Sequence, residues 1–462
     1  MKKLLKKYDI IIVGNGSIGV LSAFLLKIKH PKKKIALLGK KNFAYSASLA
    51  AGAMHNVYCE VESNFYQSTL EQSNFEMGIK SRLDWKKIFN KFNLNKVITA
   101  KDTFLYLKKG FSDFEIKNFE VACEVANKDN VLKKVSKHEV ENFFNGKVNS
   151  KNFKCVKIKD EFGFNPNLLV HELLKLSNKI GIDVIFHEVK KIVNKDNRYF
   201  IDEEYQTKKL VIAAGYGSYD IGKNIFNPVP VVKGVGTAFI LQDDYFKKIK
   251  SVVRTSNRGG AQCGLHMVPY DRRNGKIYIG AGNYISKEKE PWARTETIKY
   301  LIKLLEDELI PRSVIYKSKI TTLLGYRPRS VDNYPSIGEV NENLFYISGT
   351  YRAGLTWASY IANQVVSWSN GDEADSLLKE YKPDRKIRTW GSLNEACEYY
   401  ASSRVSNLIE HKLIDNKSKK DLSSKYKELF KFAKNMNFEI VRKKNFNKDF
   451  VVDPDCYNYF EK

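Results

Sequence analysis

Gly14-Asn15-Gly16-Ser17-Ile18-Gly19 is the stretch whose residue types and spacing point most directly to chemistry. It closes the β-branched run of "DIIIVGNGSIGVLSAFLL" (residues 9–26) and leads into an apolar segment of helical spacing, so a strand, a tight turn and a helix follow one another. In such a unit the first glycine allows the turn, the second lets a pyrophosphate approach the backbone, and the third lets helix and strand pack closely. The phosphates then sit at a helix N-terminus, where free N–H groups and the macrodipole favour negative charge. About 20 residues on, the end of the next strand normally carries an Asp or Glu that binds the ribose hydroxyls. In "IALLGKK" (residues 35–41) that place holds Gly39, followed by Lys40 and Lys41. A small residue followed by cations suits a 2′-phosphate, so the local reading leans toward NADP, with FAD held in an unusual way as the alternative.

The elements that must position this site are legible as patterns. After the second strand comes "NFAYSASLAAGAMHNVYCEV" (residues 42–61), whose small side chains let backbone run close to something flat and bulky; an ordinary small-residue helix start is the competing reading. The spacing of Phe65, Leu70, Phe75, Ile79, Leu83, Trp85 and Phe89 predicts helix over 64–93. Short strand-like runs and a Lys-rich amphipathic stretch fill 96–160. A helix is predicted from Pro166 to Gly181, then the strand "IDVIFHEV", and later "KKLVIAAGYGS", an apolar run into Gly215 and Gly217 of the kind that forms buried parallel strands. Residues 228–285 turn β-rich, a helix follows near 295–310, and "NLFYISG" reads as a strand leading through a loop into a further helix. Strand-turn-helix material thus occurs in three separated pieces with mixed or antiparallel β between them, which predicts two interleaved domains.

Composition sets the frame. At 462 residues, with 43% hydrophobic and 13% aromatic side chains, the chain is globular and long enough for two or three cores. The formal net charge of +26 raises the question of a nucleic-acid or membrane partner. Because the excess is mostly Lys, and Asn, Ile, Phe and Tyr are also abundant, the composition of an AT-rich genome accounts for it better than a phosphate-binding surface, which would favour Arg. Cys59, Cys123, Cys155, Cys263, Cys397 and Cys456 show no metal-binding spacing, so no metal is expected, and a reduced, cytoplasmic protein is the reading. No stretch approaches the roughly 18 apolar residues of a membrane span.

Five segments taken in order carry a resemblance to a known family: the Gly14–Gly19 fingerprint, "SASLAAGAM" (46–54), "LVIAAG" (210–215), "GYRPRSVDNYPSIG" (325–338) and "NLFYISGTYRAGLTWA" (343–358). Over roughly residues 8–372 the sequence resembles the FAD-dependent oxidoreductases of the D-amino-acid oxidase superfamily, most of all its glycine oxidase and sarcosine oxidase branch. The resemblance implies an α/β fold: a Rossmann-like FAD-binding domain (1–95, 155–225 and 320–375) interleaved with a mixed or antiparallel β-sheet substrate domain (96–154 and 226–319). A mainly helical C-terminal extension (376–462) has no counterpart. It also implies noncovalent FAD, since no thiol stands near Gly325, where some relatives attach the cofactor. By position in the matching motifs, the cofactor would be held by Gly14, Asn15, Gly16, Ser17, Ile18, Gly19, Gly39, Lys40, Ser46, Ala47, Ser48, Ala51, Gly52 and Met54. From the later segments it would be held by Val189, whose backbone meets the adenine in relatives, and by Ala214, Gly215, Gly325, Arg327, Gly349, Arg352, Ala353, Gly354, Leu355 and Thr356.

For the reaction itself, the resemblance places Arg327 and Arg352 on the substrate side of the flavin, where guanidinium forks match a carboxylate. His266, in "GLHMVPYDRRNGKIYIGAG", would sit over the reactive face and could orient an amine or accept a proton. Tyr351, with Tyr326, would wall the pocket. Against these stand plainer roles: Arg327 paired with Asp332, Arg329 as a third carboxylate candidate, and His266 as a core residue. The expected activity is oxidation of the C–N bond of a carboxylated amine or amino acid, with O2 or another acceptor reoxidising the flavin. Two alternatives are a 2-hydroxy-acid dehydrogenase on the same fold and an RNA-modifying flavoprotein whose basic segments 416–435 and 441–450 grip phosphates. The sequence is compatible with an oligomer and does not separate oxidase from dehydrogenase.

Overall fold

The computed structural model describes residues 5–108, 113–143, 153–258, 264–286, 292–388, 397–398, 401, 405 and 421–428. The chain begins β1 (Lys6–Val13), α1 (Ser17–Lys29), β2 (Ile35–Gly39), β3 (Met54–His55), α2 (Thr69–Lys91), β4 (Ile98–Lys108), α3 (Asp113–Lys128), β5 (Leu132–Lys134) and α4 (Lys137–Phe143). It continues through β6 (Phe153–Phe164), α5 (Pro166–Lys179), β7 (Asp183–Phe186), β8 (Ile192–Lys195), β9 (Arg198–Ile201), β10 (Tyr205–Ile212), α6 (Ser218–Gly222), β11 (Val231–Gln242) and β12 (Val252–Thr255). It closes with β13 (His266–Asp271), β14 (Lys276–Ser286), α7 (Thr295–Glu308), α8 (Arg312–Lys317), β15 (Lys319–Ser330), β16 (Ser336–Asn341), β17 (Leu344–Ser348) and α9 (Ala358–Asn370).

Two sheets result. The first has the order β16-β17-β10-β1-β2-β7, with the β8–β9 hairpin extending from β10, and β17, β10, β1, β2 and β7 run parallel. Its strands are apolar without alternation because both faces are covered. Ile10 and Ile12 of β1 face a core shared with α1, α2, α5 and α9, whereas Ile11 and Val13 face a second core under β8 and β9. The helices present apolar stripes to the first core, for instance Val20, Leu21 and Phe24 on α1 and Met77, Trp85, Ile88 and Phe89 on α2. Their ends are specified locally. Ser68 Oγ accepts from Glu71 N at 3.2 Å to start α2, and Asn165 Oδ1 accepts from Leu168 N at 3.0 Å before Pro166 opens α5.

The second sheet, ordered β15-β11-β14-β13-β12-β4-β6-β3, is largely antiparallel, with β12 and β4 the parallel pair. β6 and β15, which fall at the expected domain borders, both hydrogen-bond in this second sheet, against β4 and β11. The two sheets meet where loop 42–53 leaves β2: Tyr326 N of β15 donates to Tyr45 O at 3.0 Å, and the two tyrosine rings stack with centroids 4.9 Å apart. Most of the extension, including Cys456 and the basic segment 441–450, lies outside the described residues, as does Cys263. Among the described residues, no helix is long and apolar enough to cross a membrane, and no group of His, Cys, Asp or Glu could hold a metal.

Candidate active site

The turn after β1 is built by steric necessity. Gly14 has φ +117°, and a Cβ there would lie 2.2 Å from Ala213 O; one on Gly19 would lie 1.8 Å from Gly14 O. Only glycine therefore lets α1 begin so close to the ends of β1 and β10. Ser17 N, in the first turn of α1, donates to Ser48 Oγ at 2.9 Å, which pins the small-residue loop against the helix start. No acidic residue occupies that first turn, so its positive end stays available to an anion.

Gly39 has an equally local reason. The Asn15 side chain fills the space beside it, so that a Cβ would come 2.2 Å from Asn15 Cγ, and Asn15 Nδ2 donates to Lys40 O at 2.8 Å. A carboxylate nevertheless reaches this corner: Glu188, two residues beyond β7, pairs with Lys40 Nζ at 2.6 Å and lines the same cavity as Gly39 and Val189. This acid was invisible in the sequence because it arrives from the neighbouring strand rather than the end of β2.

One cavity of about 1220 Å³ runs from this corner along the ends of β1, β10 and β17 to the second sheet. It brings together every sequence-predicted site residue except two. Gly19 lies behind the turn against Gly14, and Gly325 packs against Ala50, Ser46 and Ala47.

At the far end the side chains are held from several elements. Arg327, on β15, points across β11, where Gly234 and Gly236 clear its path; a Cβ on Gly236 would lie 2.6 Å from the Arg327 guanidinium carbon. Asn283 of β14 fixes the guanidinium, accepting from Arg327 Nη1 at 3.0 Å, and its amide donates to the Tyr351 hydroxyl. Tyr351 itself has φ +43°, and its N donates to Pro328 O at 2.7 Å. The Asp332 pairing considered for Arg327 does not occur, because Asp332 binds Arg385 at 2.9 and 3.1 Å. Arg329 is 1% exposed, packs over the Tyr351 ring and lies outside the cavity lining.

Arg352 reaches Glu60 at 3.4 Å, and Arg254 of β12 binds the same carboxylate from behind. The turn ending at Glu60 is nailed down by fully buried Glu161 of β6, which accepts from the backbone N–H groups of Val57 and Tyr58, both at 2.6 Å, and from Asn56 Nδ2 at 3.0 Å. Burial would raise the pKa of Glu60, yet Arg254 and Arg352 outweigh it and hold the carboxyl down at about 2. Glu71 behaves in the opposite way. Burial, with Glu62 beside it, pushes it up to about 8, and Glu62 is raised by its own burial. His266 of β13 is 3% exposed and stacked on Tyr278, and neither ring nitrogen has a partner. Burial, then Arg254 and Arg327, keep it well below the usual imidazole range, so it is neutral at pH 7.

Glu60, Glu62, Glu71, Arg254, Asn283 and Glu188 are the residues that sequence reading missed. They sit on loops, on strands and, for Glu71, in the first turn of α2, without a motif spacing, and only the fold gathers them.

The sequence pattern of a protein family described as FAD dependent oxidoreductase (DAO) matches residues 9–368. Similar solved structures include glycine oxidase from Geobacillus kaustophilus, with TM-score 0.70, 17% identity, and 83% of this chain and 100% of that one covered. Iminodiacetate oxidase from Chelativorans sp. BNC1 gives 0.67 at 13% identity, covering 81% and 98%. L-proline dehydrogenase from P. horikoshii gives 0.67 at 18% identity, covering 83% and 98%. No curated protein sequence matches the chain.

Proposed function

Because the chain belongs to the DAO family of FAD-dependent oxidoreductases, we propose that it oxidises the C–N bond of an amino acid or secondary amine that carries a carboxylate. The family corrects the local lean toward NADP. The physical reason is in the corner itself, where Lys40 is engaged by Glu188 and Gly39 is small to admit Asn15, not a 2′-phosphate. The residues fit FAD: the turn at Gly14 and Gly19 leaves no room for a Cβ, and the open start of α1 suits a pyrophosphate. When bound, FAD supplies the acceptor for a hydride equivalent.

The observation that carries the reading is that Arg327 and Arg352 line one end of the cavity together with His266. Glycine, iminodiacetate and proline, for which the similar structures are named, each carry an amine nitrogen next to a carboxylate. In this chain Arg327, pre-set by Asn283, and Arg352 would hold such a carboxylate, which fixes the neighbouring carbon. Neutral His266 has a ring nitrogen to accept the proton leaving the amine. Loss of that proton, and of the carbon-bound hydrogen with its electron pair, leaves a C=N bond that water hydrolyses.

Purified protein should be yellow, and under anaerobic conditions the chromophore should bleach with amino acids or secondary amines and stay oxidised with 2-hydroxy acids. Bleaching by hydroxy acids alone would instead establish the dehydrogenase alternative. Salt-sensitive RNA binding would favour the RNA-modifying one.

A further inference from the structure

We infer that the substrate is an amino acid whose side chain ends in a cation, an ammonium or guanidinium group seated between Glu62 and Glu71; this rests on the amine-oxidation reading above. Both carboxylates line the cavity, from the turn after β3 and from the first turn of α2. Among the described residues neither has a salt-bridge partner, although the chain carries 78 Lys and Arg against 52 Asp and Glu. Arg352 acts on both only from a distance, and Glu62 accepts one hydrogen bond, from Asn257 Nδ2 at 3.1 Å, so with bases in such excess two neighbouring acids that form no ion pair are not a by-product of composition. Glu60, in the same wall, shows the contrast, since Arg254 and Arg352 both bind it.

An independent observation marks the cavity that these acids share with the arginines as a ligand site. Buried His266 lines the same cavity with both ring nitrogens unpartnered, and its charged neighbours are Arg254, Arg327, Arg352 and Glu60. A buried polar ring without partners is completed by something that enters the cavity. The same cavity is lined by the aromatic rings of Phe65, Phe75, Tyr334 and Trp357, of which Tyr334 is within electrostatic reach of Glu71, and aromatic faces suit a desolvated cation. The raised pKa of both Glu62 and Glu71 agrees with this, because an arriving cation would restore the ionised form. Charge then matches along the ligand: carboxylate at Arg327 and Arg352, amine near His266, distal cation at Glu62 and Glu71.

The test uses the FAD-loaded enzyme under anaerobic conditions with both enantiomers of lysine, ornithine, arginine, norleucine, glycine and glutamate. The basic amino acids should bleach the flavin with kcat/KM at least about 10-fold above norleucine, which has no distal cation. In Glu62→Gln and Glu71→Gln the lysine-to-norleucine ratio should collapse toward about 1, mainly through KM. Should a variant fold poorly, the wild-type ratio alone decides. Equal or faster bleaching by norleucine, glycine or glutamate overturns the inference and leaves the amine reading standing. Equal losses for all substrates in the variants also overturn it, since they mark a structural role. Bleaching by no amino acid overturns the inference, and failure of proline and N-methylglycine as well overturns the amine reading.

Discussion

At the scale of single residues, the site depends on how burial and charge divide its carboxyls. Glu71, raised to about 8, keeps a proton in the folded protein that the unfolded chain releases from about pH 4.3 upward. Its contribution to stability therefore falls as pH rises between those values. Glu60, held at about 2, contributes in the opposite sense: its stabilisation is present above the unfolded value and is lost as pH falls through the folded one. Glu71→Gln should accordingly raise the melting temperature at pH 8 and leave it nearly unchanged at pH 5; an identical shift at both would show that the carboxyl titrates normally. On the proposed reading, removal of Arg352 takes a fork from the substrate as well as one partner from Glu60, so Arg352→Ala should lower kcat/KM by about 100-fold or more, with steady-state assays on the best substrate as the check. Glu188→Gln should weaken FAD binding by apoprotein about 10-fold, read by quenching of flavin fluorescence; unchanged affinity would leave Glu188 a surface partner of Lys40 only. The sequence pointed to Arg327 and Arg352 because they lie in family segments and to His266 because its hairpin resembles the family's, whereas the helical period around Glu71 marks only apolar positions and Glu62 and Glu188 have no fixed spacing to announce them.

At the scale of elements, the parallel strands were the most legible part. Runs such as "DIIIV" and "KKLVI" have both faces buried and so stay apolar throughout. β4 and β6 were read only as short strand-like runs, although they span Ile98–Lys108 and Phe153–Phe164. Exposed lysines and Asp160 at φ +66° interrupt their pattern, and the register shifts near Ala100, so local signals break where long-range pairing continues. The glycines divide similarly into two kinds. Gly371 ends α9 at φ +84° with nothing within 4 Å of a Cβ, so Gly371→Ala should cost about 1 kcal/mol. Gly14→Ala adds collision with the backbone of Ala213 to its strain, and should yield protein that purifies with little or no flavin. Absorbance ratios of the two purified variants would settle the contrast.

At the scale of the whole molecule, the second sheet is tied to its covering helices by charge as well as by apolar packing. Buried Arg258 donates to Glu115 of α3 at 3.1 Å and Glu308 of α7 at 3.0 Å, while Tyr106 of β4 also donates to Glu308 at 2.8 Å. Arg258→Met would strand two carboxylates without a counterion, at a cost of about 3–5 kcal/mol in urea unfolding. The cavity between the sheets has a further consequence. Its lining joins the loops at the edge of the first sheet to side chains from strands of the second, so whatever fills it acts as a shared keystone, and heat tolerance becomes a function of dissolved cofactor. Raising free FAD to a hundred times its dissociation constant would add about 2.7 kcal/mol to the folded state, and so move the thermal midpoint upward with every increment of FAD in the buffer.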